Sequence, residues 1–393
     1  MLIPVVVAAA LMNAAMVAAS AVSTILVAEE LSPGLAGLPN TAGVLGTAAG
    51  AVAVGRWSAR FGRAQALRSG YGVAVAGGAL TVLAAVGAPV ALLFVGMFLL
   101  GAGNAASLLS RYAAADAVTL ARRAAAMGTV VWASTAGAVG GPFLFEPSQS
   151  LAGSTGLPAL AGPFLLAVAA AFAALVAASR IRPQPVERPE HLTDSEPPAT
   201  SRRTPVVAAG VMLVGQLVMV AMTTSVPVHA HHHGQSLGAL GLMLSFHTLG
   251  MFALSPVTGW WIDRSGPRPA MLAGLLVLVA SALVVAVPSG ASFTPALFFL
   301  GFGWNLCYLG GSAYLVQSAR ASHAARAKLE SRVEAWVWAV SAVATAASTA
   351  LFAEGGFLLL STVSAVLALP LLLVVARTPT VAATAATAQC VRG

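Results

Sequence analysis

The sequence predicts an all-α integral membrane protein, with about twelve transmembrane helices in two pseudo-symmetric six-helix bundles, and three observations carry that expectation. Of its residues 58% are hydrophobic and only 8% charged, too few polar groups to solubilise a globule of this length, so the bilayer is its solvent. Apolar runs of about 20 residues recur along the chain, the length a helix rising ~1.5 Å per residue needs to cross ~30 Å of hydrocarbon. All 20 Lys and Arg residues fall in every second gap between those runs or in the C-terminal tail. The runs of Ala, Val, Leu and Gly are unbroken rather than alternating, which favours helices over a closed barrel.

Segment 1, roughly residues 3–28, lacks a basic leader and is longer than a signal-peptide core, so it is expected to be retained as a helix. Segment 2 spans 35–55, and Arg56, Arg60, Arg63 and Arg68 separate it from segment 3 at 67–88. Segment 4 at 90–111 is followed by Arg111, Arg122 and Arg123, then by segments 5 at 127–146 and 6 at 159–180. The one long polar stretch, 181–205, is rich in Pro, Arg and Glu and reads as a solvated linker between a bundle over 1–180 and a bundle over 206–377. Segments 7 to 10 are expected at 206–228, 237–261, 270–288 and 292–317, with Arg264 and Arg268 after segment 8 and Arg320, Arg326, Lys328 and Arg332 after segment 10. Segments 11 and 12 at 335–354 and 357–377 lead into a tail over 378–393. By the positive-inside rule the basic gaps, the linker and both termini are cytoplasmic, as in a multi-pass protein of the inner plasma membrane.

The net charge of +8 lies beside anionic inner-leaflet lipid, so membrane lipid is the expected partner and nucleic acid is not. Cys307 and Cys390 lie at different expected depths, so no disulfide framework is expected. No GxxxxGK[ST] loop, HExxH motif or mid-depth carboxylate pair is present, which argues against an enzyme or a primary pump. No cofactor is expected, and the chain is expected to act as a monomer.

The halves repeat each other, as in proteins built from internal duplications. Leu100-Gly101-Ala102-Gly103-Asn104 recurs as Leu300-Gly301-Phe302-Gly303-Trp304-Asn305. The loop Gly55-Arg56-Trp57-Ser58-Ala59-Arg60-Phe61-Gly62-Arg63 recurs as Gly259-Trp260-Trp261-Ile262-Asp263-Arg264-Ser265-Gly266-Pro267-Arg268. That second loop, GxxxDRxGxR, resembles the signature loop of the major facilitator superfamily, to which the chain is similar over essentially its whole length. The first copy keeps Gly55, Gly62 and Arg63 but has Ala59 where the family carries an acid. The resemblance implies two bundles that rock about a central site by alternating access, with the loop Asp263, Arg264 and Arg268 latching helix ends on the cytoplasmic side. Segment 5 carries Gly128, Gly137, Gly141 and Pro142 at the G(x)8G(x)3GP spacing, which resembles the motif of drug/proton antiporters in this superfamily, without its trailing Gly pair. Small residues there permit close helix contact, and Pro bends the helix.

Near the expected mid-depth, His247 stands alone among ionisable groups. Glu29, Glu30, Glu146 and Glu354 fall at outer ends, while Arg111, Asp116, Asp263, Glu330 and Glu334 fall at or beyond inner ends. An ionisable side chain at that depth is a functional candidate, the alternative being a neutral imidazole bonded to a neighbouring helix. Met243, His247 and Met251 are spaced i, i+4, i+8, on one helical face. Segment 7 offers Met212, Gln216, Met219, Met222 and Thr223, and depth counted from the outer turn brings Met222 level with Met243 and Met219 level with His247. Such a Met/His set suits Cu(I). The outer turn supplies His229, His231, His232 and His233 at an acidic mouth that attracts cations.

His247-x-x-x-Met251 is similar to the HxxxM motif of the copper-importing branch of this superfamily. Its companion MxxxM is replaced in segment 7 by Met219-x-x-Met222, and Met12-x-x-x-Met16 in segment 1 has the full spacing. Met is also common core filler. The resemblance places segments 1, 4, 7 and 10 around the cavity, which makes Asn13, Asn104, Asn305, Trp304, Cys307 and Tyr308 further contact candidates, with interhelical bonding as the alternative. Trp132, Trp336 and Trp338 suit a cavity lining or an interfacial anchor.

The expected function is therefore secondary transport of a small-molecule or metal-ion substrate, with two readings of the cargo. One is uptake of copper or another soft metal ion through the Met/His face; the other is proton-coupled efflux of drugs or lipophilic metabolites through an apolar cavity. His247, with an ordinary pKa of ~6.5, is the expected titrating group for coupling.

Overall fold

A backbone in hydrocarbon has no water to bond, so apolar runs close their own hydrogen bonds as helices and stop where Gly or Pro interrupts them. The computed structural model describes residues 2–32, 35–182, 203–226, 237–286, 290–318 and 323–378. Among these residues there are thirteen helices and no strand. They are α1 (Leu2–Glu30), α2 (Leu38–Phe61), α3 (Arg63–Ala85), α4 (Ala91–Asp116), α5 (Arg123–Gly140), α6 (Phe145–Ser154) and α7 (Ala161–Ser179). Then follow α8 (Arg203–Thr224), α9 (Leu237–Phe252), α10 (Ser255–Ser265), α11 (Pro267–Ala286), α12 (Gly290–Ser318) and α13 (His323–Arg377). Among the described residues nine spans are long and apolar enough to cross a membrane unaided.

Twelve expected segments map onto thirteen helices through three departures. Segment 8 is broken into α9 and α10, because Pro256 has no N–H to donate to the Phe252 carbonyl. Segments 11 and 12 run together as α13, divided by non-helical Gly355 and Gly356, the latter at φ 57°. Segment 5 ends at Gly140 rather than 146, since the chain enters a short 3-10 turn at Pro142–Leu144 before α6, a helix the sequence did not predict.

The largest correction concerns where α13 begins, at His323 rather than 335. Ala324, Ala325 and Ala327 are strong helix formers, and Arg326 and Glu330 form an i,i+4 pair at 3.6 Å, so a stretch rich in charge continues as helix. Glu330 and Glu334 therefore stand two and three turns inside a helix, both buried, instead of at or beyond its end.

Contacts divide the chain into two compact units. The first comprises Met1–Val118, Thr129–Glu196 and Ala321–Ala342, and in it α2 and α3 pack on α4 while α7 packs on α1 and α3. The second comprises Thr119–Gly128, Pro197–Arg320 and Val343–Gly393, with α8, α9 and α11 packed on α12. The start of α5 thus counts with the second unit, and residues of α13 up to Ala342 with the first.

Close packing records the duplication. A Cβ on Gly101 would lie 1.9 Å from the Gly43 carbonyl, and one on Gly301 would lie 2.3 Å from that of His247. Gly46 meets the Phe98 carbonyl as Gly250 meets that of Phe298, and Gly103 meets Gly70 and Ala74 as Gly303 meets Gly274 and Leu278. These partners are the positions that the repeated motifs align, so α2, α3 and α4 pack as α9, α11 and α12 do, through glycines that let backbones touch.

Candidate functional site

In the second unit the broken helix is held from α12. Asn305 donates Nδ2–H to the Met251 carbonyl and to Ser255 Oγ, 2.6 Å each, bridging the end of α9 and the start of α10. Its first-half counterpart in the aligned motif is Ala105, so this clamp belongs to one repeat only. The buried Asn305 Oδ1 accepts no hydrogen bond from the described residues. Gly301 lets the same face approach, since a Cβ there would meet Met251 Cγ at 3.1 Å.

His247 is buried, and its Nδ1–H donates to the Leu297 carbonyl on α12 at 3.0 Å. Gly43 occupies the matching place on α2, where a Cβ would lie 3.6 Å from the Met97 carbonyl. The imidazole thus fills space that is hydrogen in the other repeat and bonds the equivalent carbonyl. Donation from Nδ1 leaves Nε2 as the nitrogen with a lone pair when the ring is neutral. Met219, Met222 and Met243 are buried and Met251 is half-buried. Among the described residues no three His, Cys, Asp or Glu side chains gather where a metal ion would sit. His229, His231, His232 and His233 lie outside the described residues.

One turn along α12, four side chains assemble, three of which (Gln216, Trp304 and Tyr308) the sequence offered only as separate candidates. Trp304 Nε1–H donates to Gln216 Oε1 on α8 at 2.6 Å. The indole stacks on Tyr308, centroids 4.7 Å apart and planes 16° apart, and meets the edge of Phe252 at 5.9 Å. The i, i+4 spacing of Trp304 and Tyr308 was the available signal; the partnership with Gln216, 88 residues earlier, was not. In the first unit Asn13 and Asn104 are half-buried, and Asn13 Oδ1 has no hydrogen-bond partner among the described residues. Gly137 lets α5 touch α1 at Ala10, Asn13 and Ala14, and Gly141 approaches Val17. Gly128 meets the Ser255 carbonyl in the second unit. Trp132 and Trp336 are exposed.

The signature loops turn on equivalent glycines. Gly62 (φ 85°, ψ 156°) and Gly266 (φ 82°, ψ 166°) end α2 and α10 with the same N–H bond, to Ser58 and Ile262 carbonyls respectively. Only glycine adopts that region without strain. Gly259 packs on Ala124 and Ala125, as Gly55 packs on Ser331 and Ala327. Asp263 then accepts the Ala124 and Ala125 N–H groups, 2.9 Å each, capping the start of α5. Arg264 lies over the Trp260 ring at 4.1 Å. Arg268 bonds the Val375 and Ala376 carbonyls that end α13, as Arg68 bonds those of Ala178 and Ser179 at the end of α7 and of Ile181 just after it.

The first loop, lacking the acid at Ala59, uses Arg63 instead. Its Nη2–H donates to Glu330 at 2.8 Å, and its Nε lies 3.1 Å from Asp116. Arg326 takes the other Asp116 oxygen, closing a ring of two cations and two carboxylates. Deeper along α13, Glu334 accepts Arg111 Nη2–H at 2.6 Å and Trp338 Nε1–H at 3.1 Å, with Arg111 and Glu334 both fully buried. Arg326, Glu330, Glu334 and Trp338 recur at i, i+4, and that stripe was legible in the sequence; reading it as a loop hid it.

Comparison with known proteins agrees with this architecture. The family model described as Major Facilitator Superfamily matches residues 5–327 and 207–389. The chain is 35% identical over 368 residues to YdeG of Bacillus subtilis (strain 168), an uncharacterised MFS-type transporter, covering 89% of this chain and 85% of that one. It is 32% identical over 310 residues to the riboflavin transporter RfnT of Brucella anthropi, covering 73% of each. The human organic anion transporter MFSD10 superposes with a TM-score of 0.78 at 15% identity, covering 95% of this chain and 98% of that one, a likeness of fold.

Proposed function

The chain belongs to the major facilitator superfamily, and from that premise we propose that it is a secondary transporter whose cargo is a neutral, planar organic solute. Membership makes it a multi-pass membrane transporter of small molecules and not an enzyme. The substrate class rests on one observation, the Trp304–Tyr308 stack held by Gln216 and edged by Phe252. Aromatic faces and neutral amide groups bind flat rings by stacking and hydrogen bonding without demanding charge. Riboflavin, the cargo in the Brucella relative's name, has that chemistry. In this reading the basic gaps and both termini face the cytoplasm, and the two six-helix halves, 1–180 and 206–377, work by alternating access.

Copper uptake is the second reading. It is favoured by His247, whose Nδ1–H is spent on Leu297 so that Nε2 is free to ligate, on a face shared with Met243 and Met251. Efflux of other lipophilic metabolites would use the same aromatic face in the opposite direction. Proteoliposomes loaded in turn with riboflavin and Cu(I) separate these readings. Riboflavin flux that Trp304→Ala abolishes supports the planar-solute reading; copper flux that is lost in His247→Ala, with no riboflavin flux, replaces it.

A further inference from the structure

We infer that Asn305 is the specificity-determining residue of the planar-solute site, and that its unpaired Oδ1 accepts a hydrogen bond from a ring N–H of the solute. This rests on the transport reading above and narrows its cargo from any flat neutral solute to one that carries a donor on its ring. All the residues concerned stand in the second unit: Trp304, Asn305 and Tyr308 on α12, Phe252 at the end of α9, Ser255 at the start of α10 and Gln216 on α8.

A primary amide carries donors on nitrogen and an acceptor oxygen, and a buried one is expected to use both. Asn305 is fully buried, and Nδ2 bonds the Met251 carbonyl and Ser255 Oγ at 2.6 Å each. Those two bonds hold the amide and decide which atom is left over. Exchanging oxygen and nitrogen would set Oδ1 against the Met251 carbonyl, acceptor against acceptor. The unpaired atom is therefore the oxygen, which has no hydrogen-bond partner among the described residues. An amide oxygen buried without a donor is unfavourable unless something supplies one. Packing of the repeat does not require it. The first repeat has Ala105 at the aligned position, with Ala51 and Val52 where Ser255 and Pro256 stand, and α2 runs unbroken from Leu38 to Phe61.

The amide stands beside the aromatic face. Trp304 is the preceding residue, and the carbonyl that Asn305 holds is one peptide unit from Phe252, whose ring meets Trp304 edge-on at 5.9 Å. The Trp304 N–H is already given to Gln216 at 2.6 Å, so it is not offered to the amide oxygen. A solute stacked at this face thus meets an acceptor in want of a donor, and an N–H on its edge fills it. Trp304 and Tyr308 are only 7% and 4% exposed, so the solute reaches them by moving a cover. Phe252 is that cover: it is half-buried and ends α9 at the break, where its carbonyl receives no N–H from Pro256. A methyl group in place of the solute N–H would leave Oδ1 buried and unpaired, the case in which a site rejects an analogue most strongly.

The test uses the full chain in proteoliposomes and follows riboflavin flux against two competitors. Lumiflavin carries a single N–H, on its ring, and its N3-methyl derivative carries none. In the parent, lumiflavin should inhibit at concentrations at least ~tenfold lower than the methylated compound. Asn305→Ala, which places here the residue of the first repeat, should bring the two inhibition constants within about twofold of each other. Loss of the helix clamp alone would weaken both competitors alike and keep their ratio. Ser255→Ala, which spares Oδ1, should also keep it. The parent ratio needs no variant and decides the matter if Asn305→Ala misfolds. Riboflavin flux with a parent ratio near one, or a ratio that survives Asn305→Ala, overturns the role of Asn305 and leaves the planar-solute reading standing. Absence of riboflavin flux overturns both.

Discussion

Replacing Asp263 by Asn perturbs the second signature loop with almost no change of shape. The carboxylate accepts two amides, Ala124 and Ala125, at 2.9 Å each, at the positive end of α5. Asn keeps one acceptor and turns an NH₂ group toward the other N–H, so one bond and the charge–dipole attraction are lost together. Loss of an N-cap costs ~0.5–2 kcal/mol and the charge at a helix start a further ~0.3–1 kcal/mol. The side chain is half-exposed, which screens the charge, so about 1–2 kcal/mol is expected in all. That is a factor of about 5–30 in the local opening equilibrium of α5. Hydrogen exchange of a peptide covering Ala124 and Ala125 reads it directly, and protection should fall by that factor while α8 is unchanged. Turnover should fall with solute affinity nearly intact, since the cap touches no candidate solute contact. Unchanged exchange, or a large loss of affinity with normal turnover, would refute the latch role.

Gly266→Ala meets no neighbour within 4 Å, so its whole cost is backbone strain at φ 82°, about 1–3 kcal/mol, read as a lower midpoint of thermal unfolding. Gln216→Leu should weaken riboflavin flux at least severalfold by freeing the Trp304 indole, and equal flux would remove the aromatic face from the site. Met251→Ala and His247→Ala should leave cell copper content unchanged if the cargo is organic; loss of copper accumulation in both, with expression intact, would favour the metal reading. For sidedness, an impermeant thiol reagent in intact cells should reach a cysteine at Ser154 and miss one at Ser179. The reverse pattern overturns the orientation.

Apolar run length was a local property that marked the helical spans, and the repeated motifs at 100–104 and 300–305 and at 55–63 and 259–268 displayed the duplicated plan. Gly62 and Gly266 were equally legible, because a turn that only glycine adopts leaves its mark in one residue. Hydropathy reports contact with lipid, however, not contact with a partner. It therefore read 323–334 as a polar loop, although buried ion pairs carry those charges inside α13. The partners of Arg63, Arg111 and Trp304 stand 267, 223 and 88 residues away, and no local pattern encodes such a distance. The sequence likewise presented His247 as a lone mid-depth imidazole. Only the packed helices revealed that it stands in the place of Gly43 and that its ring meets the carbonyl of Leu297. Spacing along one helix is written in the chain, whereas the helix that faces it is chosen by packing, and the chemistry of a buried polar group depends on that choice.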